Sequence, residues 1–224
     1  MTDAATVADL DQDALRRLIV AKLSGTVPDD GRRPERLAGV APGLTASFRH
    51  LLPAEPAPAA VLVPIVDRPA GLSVLLTQRA SHLRRHGGQI SFPGGRLEPG
   101  DAGPLEAALR ETEEEIGLAR RFVQPIGYLQ DHLVISGYRV TPVVAFVQPG
   151  FELELDTREV EATFEVPLRH VFDVRHHLAR ERKLGDLTIT VYDIPFGEYK
   201  IWGATAGMLL TLYRLIAGLE ECDR

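Results

Sequence analysis

The segment GRLEPGDAGPLEAALRETEEEIGL, Gly95 to Leu118, holds the clearest helix signal in the chain and its densest run of acids. Pro104 suits the first helical position and Gly117 the cap, so the spacing predicts a helix over residues 104–116. Leu105, Leu109, Thr112 and Ile116 form its inward stripe. At about 100° per residue, Glu111, Glu114 and Glu115 lie within about a third of the circumference, adjoining that stripe, where they can converge on one point. Like charges at this spacing disfavour a helix by a few tenths of a kcal/mol per pair, roughly, and a divalent cation among them removes that cost. Hard carboxylate oxygens suit Mg²⁺ or Mn²⁺. Arg110, four residues from both Glu106 and Glu114, can brace the cluster, whereas Glu113 points to the opposite flank. A solvated acidic helix is the simplest account of composition alone, and it is the flanking sequence that argues for more.

Upstream, residues 68–97 carry five arginines (Arg68, Arg79, Arg84, Arg85, Arg96) and no acid. Residues 98–115 reverse this with seven acids against Arg110. An anion-friendly segment beside a cation-friendly helix is what metal-assisted phosphate chemistry needs. Over the whole chain, 25 Lys+Arg against 31 Asp+Glu leave a net charge of −6 in 224 residues, which argues against a nucleic-acid partner. With 45% apolar residues the chain can bury a core. Cys222 is the sole cysteine, which excludes an intrachain disulfide and fits a reducing cytosol. The acidic N-terminus lacks a secretory pattern and no apolar run reaches the ~18 residues of a membrane span, so a cytoplasmic location without membrane association is expected.

Farther out, Leu10, Ala14, Leu15, Leu18, Ile19 and Leu23 recur at helical spacing between Asp9 and Ser24, followed by the stop signals Gly25 and Pro28. This helix can pack on its own domain or on a second subunit, which leaves a homodimer open. Residues 28–43 read as loop and Pro53 to Ala60 as a Pro/Ala-rich lead-in. Strands are expected at 61–66 and 72–77, paired as a hairpin, and at 122–130, 139–147 and 187–194. A short helix is expected near 167–174 and a last one over 204–217. Neither a βαβ alternation nor an internal repeat is present, which favours an α+β class.

The run from Gly95 to Leu118 resembles the Nudix box, G-x5-E-x7-R-E-U-x-E-E-x-G-U, with departures. Asp101 replaces the first Glu, eight residues rather than seven separate it from Arg110, and Thr112 holds a normally apolar position. The Asp and the longer spacer are shared by the coenzyme A diphosphatase subgroup of that family. The subgroup's upstream pattern, L-L-T-x-R-[SA]-x3-R-x3-G-x3-F-P-G-G, is matched by Leu75, Leu76, Thr77, Arg79, Ala80, Arg84, Gly88, Phe92, Pro93, Gly94 and Gly95. EVEATFEVPL (Glu159 to Leu168) and IWGATA (Ile201 to Ala206) are similar to later family segments, so the resemblance covers roughly residues 58–217. The expected division is an N-terminal helix and lead-in over 1–57 and a Nudix domain over 58–224.

The resemblance implies an α/β/α sandwich with a mixed sheet, a loop–helix–loop metal site and an N-terminal helical extension. It implies Glu111, Glu114 and Glu115 as ligands of Mg²⁺ or Mn²⁺, the Gly95 carbonyl as a further ligand, and Arg110 as the residue that orients the glutamates. The implied reaction cleaves coenzyme A, or an acyl or oxidised form, to adenosine 3′,5′-bisphosphate and 4′-phosphopantetheine. Glu111, Glu115 and Glu159 are the candidates for its general base. Arg79 and Arg84 suit phosphate contacts and His86 a further donor. Two alternatives stand beside this reading: hydrolysis of another nucleoside diphosphate derivative such as ADP-ribose, NADH or a nucleoside triphosphate, and a non-catalytic ligand sensor. The presence of Arg110, Glu111, Glu114 and Glu115 argues against the sensor. Phe92 and Trp202 read as core aromatics, and His176 and His177 lack a ligand partner. The sequence has no P-loop, G-x-S-x-G, H-E-x-x-H or G-x-G-x-x-G.

Overall fold

The structure is a computed structural model that describes residues 7–29, 36–37, 55–184 and 187–219. Helix α1 (Gln12–Leu23) begins where the Asp11 carboxylate accepts the Ala14 N–H at 2.7 Å, and its buried face is Leu15, Ile19 and Leu23. A nine-stranded sheet follows, comprising β1 (Arg36–Leu37), β2 (Ala57–Arg68), β3 (Gly71–Arg79), β4 (Ile90–Ser91), β5 (Gly94–Arg96), β6 (Val123–Tyr128), β7 (His132–Val134), β8 (Tyr138–Val147) and β9 (Val160–Pro167). Its spine runs β1-β7-β8-β2-β3-β4, with β5 on β2, β6 on β8 and β9 on β3. The sheet is mixed because β2 runs parallel to β8, from Ala57↔Tyr138 to Val66↔Val147, while β3 returns antiparallel on its other side.

Strand alternation divides the core. Ala60, Leu62 and Val66 of β2 with Val143, Ala145 and Val147 of β8 face helix α2 (Pro104–Ile116), whose Ala107, Ala108 and Ile116 pack on them. Ala59, Val63 and Ile65 with Val144 and Phe146 face the opposite way, toward α1 and the final helix α4 (Gly203–Ala217). This gives the expected three layers. The short helix α3 (Leu168–Val171) leads into a second, antiparallel sheet of β10 (Leu178–Leu184), β11 (Leu187–Phe196) and β12 (Tyr199–Trp202). Ile194 and Ile201 of that sheet are buried in the α4 side of the core.

The N-terminal helix packs on its own domain. Gln12 and Arg16 both bond Asp67 on β2, Arg16 at 2.8 Å, and the Arg16 guanidinium lies 3.9 Å from the Phe146 ring centroid. Thr26 accepts the Tyr128 N–H and donates to the Leu23 carbonyl, each at 2.7 Å, and a Cβ at Gly127 would collide with that same carbonyl. The end of α1 thus sits flat on β6 through a contact that only glycine permits.

Several expectations are corrected. From Ala57 onward the Pro/Ala lead-in is strand, because pairing with β8 overrides the local proline content. The Glu159–Leu168 segment, for which the sequence predicted no element, contains strand β9, paired to β3. The helix expected over 167–174 is split into α3 and a 3₁₀ turn at Val174–His176. On α2 the buried residues are Ala107, Ala108, Thr112, Glu115 and Ile116, with Leu105 and Leu109 only partly buried, so the inward face includes an acid. Thr112 tolerates burial by donating its hydroxyl to the Ala108 carbonyl at 2.6 Å. The expected 28–43 loop lies mostly outside the described residues; Arg36–Leu37 within it pairs with β7. Among the described residues no helix is long and apolar enough to cross a membrane.

Because Ile19 is fully buried against the sheet, Ile19→Ala should destabilise the protein by about 3 kcal/mol, read as a shift in the urea midpoint. A change under about 0.5 kcal/mol would refute the docked position of α1.

Candidate active site

Helix α2 projects its acids in three directions. Glu115 turns inward with a side chain 6% exposed, where one carboxylate oxygen accepts the Gly94 N–H at 3.0 Å and the other lies 3.8 Å from Arg79 Nη1. Glu111, one turn earlier, faces β5 so closely that a Cβ on Gly95 would sit 2.5 Å from its carboxyl carbon. Glu114 is 60% exposed and Glu113 lies across the helix, bonded to Arg120 at 3.3 Å.

Arg110 organises the outer part of this cluster. Its guanidinium makes a two-pronged contact with Asp101 at 3.1 and 3.0 Å, and its Nη1 reaches Glu111 and Glu114, each at 3.1 Å. It also donates to the Arg96 carbonyl at 3.2 Å, so it ties β5, the following loop and α2 together. Asp101 is the departure seen in the sequence. The guanidinium beside it and the Glu98 N–H hold its carboxyl below the ordinary range, while Asp101 above all pushes Arg110 up.

Glu159 reaches the cluster by a separate route. Glu154 and Asp156 donate backbone N–H bonds to the Ile116 and Glu115 carbonyls at 3.0 and 2.9 Å, which docks the 151–158 segment on the end of α2. Gly117 permits this approach: its φ is +69° and a Cβ there would stand 2.8 Å from the Glu154 nitrogen. Glu159 follows, exposed, and its carbonyl accepts the Ala80 N–H at 2.8 Å beside Arg79.

These neighbours explain the acidities. Burial pushes Glu115 up to about 7, against the opposing Gly94 N–H and Arg79, with the charges of Glu159 and Glu111 adding to the rise. Burial also raises Glu111, Arg110 pulls it back, and Glu114 and Glu159 push it up again. Mutually repelling carboxylates beside an accessible backbone form a hard-oxygen donor set that fits Mg²⁺ or Mn²⁺. As the side chains stand, no three His, Cys, Asp or Glu groups among the described residues are gathered closely enough to ligate one ion. Arg110 Nη1 holds the carboxylates of Glu111, against β5, and of Glu114, toward solvent.

Of the upstream residues, the fold brings Arg79 to the acids. Arg84 and His86 lie on the exposed 81–88 loop, where His86 has φ +59° and its Nδ1 pairs with the Gln89 side chain at 2.9 Å. Arg84 makes no ion pair among the described residues. The sequence placed Asp101 in the box, Gly94 in the upstream pattern and Gly117 at the helix cap, but not the partners they meet: Arg110, the Glu115 carboxylate and the Glu154 backbone. Asp101 was visible as a departure, but its partner stands nine residues away around a loop.

A model of the NUDIX domain family matches residues 56–184. The chain is 42% identical over 155 residues to a protein of Escherichia coli (strain K12) described as an uncharacterized Nudix hydrolase, NudL, a match covering 69% of this chain and 80% of the relative. The corresponding NudL of Shigella boydii serotype 18 matches to the same extent. Among solved structures, the Nudix hydrolase RenU of M. smegmatis superposes with a TM-score of 0.51 at 20% identity, covering 76% of this chain and 91% of RenU, a likeness of fold.

Glu115 supplies a test of this geometry. With a folded-state pKa of about 7 against an ordinary 4.5, the native state binds more protons than the unfolded one between those values. Stability contributed by this group therefore falls as pH rises from 4.5 through 7. The uncharged Glu115→Gln should be more stable than the parent in metal-free buffer at pH 8, by at most about 3 kcal/mol, with the gap closing toward pH 4.5. Melting temperatures across that range check this, and a gap independent of pH would refute it.

Proposed function

The chain belongs to the Nudix domain family, and on that premise we propose that it is a divalent-metal-dependent hydrolase that cuts coenzyme A at its diphosphate. The products are adenosine 3′,5′-bisphosphate and 4′-phosphopantetheine. One observation carries the reading. The Leu75–Gly95 segment resembling coenzyme A diphosphatases meets the Glu115 carboxylate near both its ends, through Arg79 and through the Gly94 N–H. A segment that could confer specificity and a helix that could hold the cation therefore close on one point.

In this reading Glu111, Glu114 and Glu115, with the Gly95 carbonyl, hold Mg²⁺ or Mn²⁺. When bound, the cation draws charge off the diphosphate oxygens and acidifies the attacking water. Arg110 sets the directions of Glu111 and Glu114. Among the described residues Arg79 pairs with Glu115 alone and can turn to a phosphate; the exposed Arg84 is available for the 3′-phosphate, and His86, on the same loop, as a donor. Among Glu111, Glu115 and Glu159, Glu159 is the favoured base. It is exposed to water, its charge is felt by both other carboxylates, and it is spared from ligation.

Incubation with coenzyme A, NADH and ADP-ribose, with Mg²⁺ or Mn²⁺ and with EDTA, tests the assignment by product chromatography. Metal-dependent release of adenosine 3′,5′-bisphosphate, faster than turnover of the others, is expected; preference for NADH or ADP-ribose discards the coenzyme A assignment. Glu115→Gln should lower turnover by about 100-fold while circular dichroism stays unchanged, and a wild-type rate would remove Glu115 from the metal site. Arg84→Ala should raise KM for coenzyme A about 10-fold more than KM for the same molecule without its 3′-phosphate, and equal effects would exclude Arg84 from 3′-phosphate recognition.

A further inference from the structure

Trp202 is the single tryptophan of the chain, and its surroundings differ from those of a core aromatic. In the three-stranded sheet, Asp193 pairs with Trp202 and Arg180 with Val191, while Ile194 pairs with Ile201. Strand alternation thus sends Ile194 and Ile201 into the core. It places Arg180 and Arg182 of β10, Asp193 of β11, and Lys200 and Trp202 of β12 together on the opposite face. There the Arg182 guanidinium carbon lies 4.3 Å from the Trp202 ring centroid, with Arg182 exposed to solvent. Beside it the Asp193 carboxylate, 1% exposed, lies 2.5 Å from Arg180 and 3.0 Å from Lys200, whose side chains are 54% and 46% exposed.

Among the described residues, Arg180, Arg182 and Lys200 stand on this face with Asp193, which pairs with Arg180 and Lys200, so the face is positive in a chain of net charge −6. A guanidinium held over an indole has lost much of its rotamer freedom and presents a planar outer surface, the arrangement on which a nucleobase stacks. The buried acid fixes two further cations while leaving their heads in water. A flat group joined to a phosphate satisfies both features at once. A long polyanion does not suit the acidic remainder of the chain. β12 is joined to the strand that precedes Gly94: it packs against β4, and the Thr205 hydroxyl just beyond it donates to the Ile90 carbonyl at 2.9 Å.

We propose that the outer face of β10–β12 binds the nucleotide half of the substrate, with the base stacked on the Trp202-backed Arg182 guanidinium and a phosphate on Arg180 and Lys200. This rests on the coenzyme A reading for the identity of the ligand. The test is titration of the full-length protein, in EDTA, with adenosine 3′,5′-bisphosphate. Calorimetry gives Kd, and the fluorescence of the single tryptophan reports binding at this face. A saturable fluorescence change is expected. Arg182→Ala and Arg182→Lys should each weaken binding at least fivefold, the lysine because it keeps the charge and loses the plane. Arg182→Ala should raise KM for coenzyme A in proportion. Lys200→Ala should weaken binding of the bisphosphate and leave that of adenosine unchanged. No saturable fluorescence change, or wild-type affinity in both Arg182 variants, overturns the proposal even if coenzyme A is hydrolysed. Arg182-dependent binding without hydrolysis of coenzyme A upholds this face and discards the proposed reaction.

Discussion

Burial of the Glu115 carboxylate is the constraint around which the site is arranged. An ionised group removed from water must find donors or a cation close by, or remain protonated. The fold supplies the Gly94 N–H from β5 and Arg79 from the end of β3, so the sheet edge and the helix are fastened through one side chain. That fastening sets tight steric terms. Gly94 crosses β2 with φ +145°, where a Cβ would meet the Val61 Cα at 2.6 Å, and Gly95 rests on the Glu111 carboxyl. Larger residues at either position would push the strand off the acids.

A second fastening lies at the surface end of the helix. Arg110 gathers Asp101, Glu111, Glu114 and the Arg96 carbonyl, so the loop between β5 and α2 is held by a charge network beside Leu97, which packs on the core. The extra residue in that loop is accommodated by the Asp101 turn, in which Asp101 bonds the Glu98 N–H at 2.8 Å and returns its carboxylate to Arg110. The shorter Asp side chain is thereby partnered on both oxygens. At the other end of α2, Gly117 admits the 151–158 segment and delivers Glu159 beside the same acids.

The opposite layer is built differently. α1, α4 and the β10–β12 sheet bury Ile19, Leu23, Ile194, Ile201 and Leu209 against the face of β2, β3 and β8 remote from α2. Apolar burial there is extensive and non-directional, which lets this layer carry surface features without disturbing the acids. The Phe164 and Tyr199 rings, stacked 3.7 Å apart, join the second sheet to β9.

Local sequence was sufficient for α2, for the β2–β3 hairpin, for α1 and for α4, because caps, glycines and apolar periodicity are properties of neighbours in the chain. Helical spacing also brought Glu111, Glu114 and Glu115 to within about a third of the helix circumference, with Arg110 in reach of Glu114. Sequence could not assign β9 or the first residues of β2: the polar alternation of one and the prolines of the other become strand only through β3 and β8. Nor could it separate the three acids into one buried, one half-buried and one exposed, because that depends on where β5 crosses the helix. Residue types and their order determined the chemistry available to this protein, a clustered set of hard oxygen donors beside an arginine-rich segment. Tertiary structure alone decided which carboxylate is desolvated, which cation it meets and which strand faces it, because desolvation and charge pairing depend on distances between segments far apart in the chain.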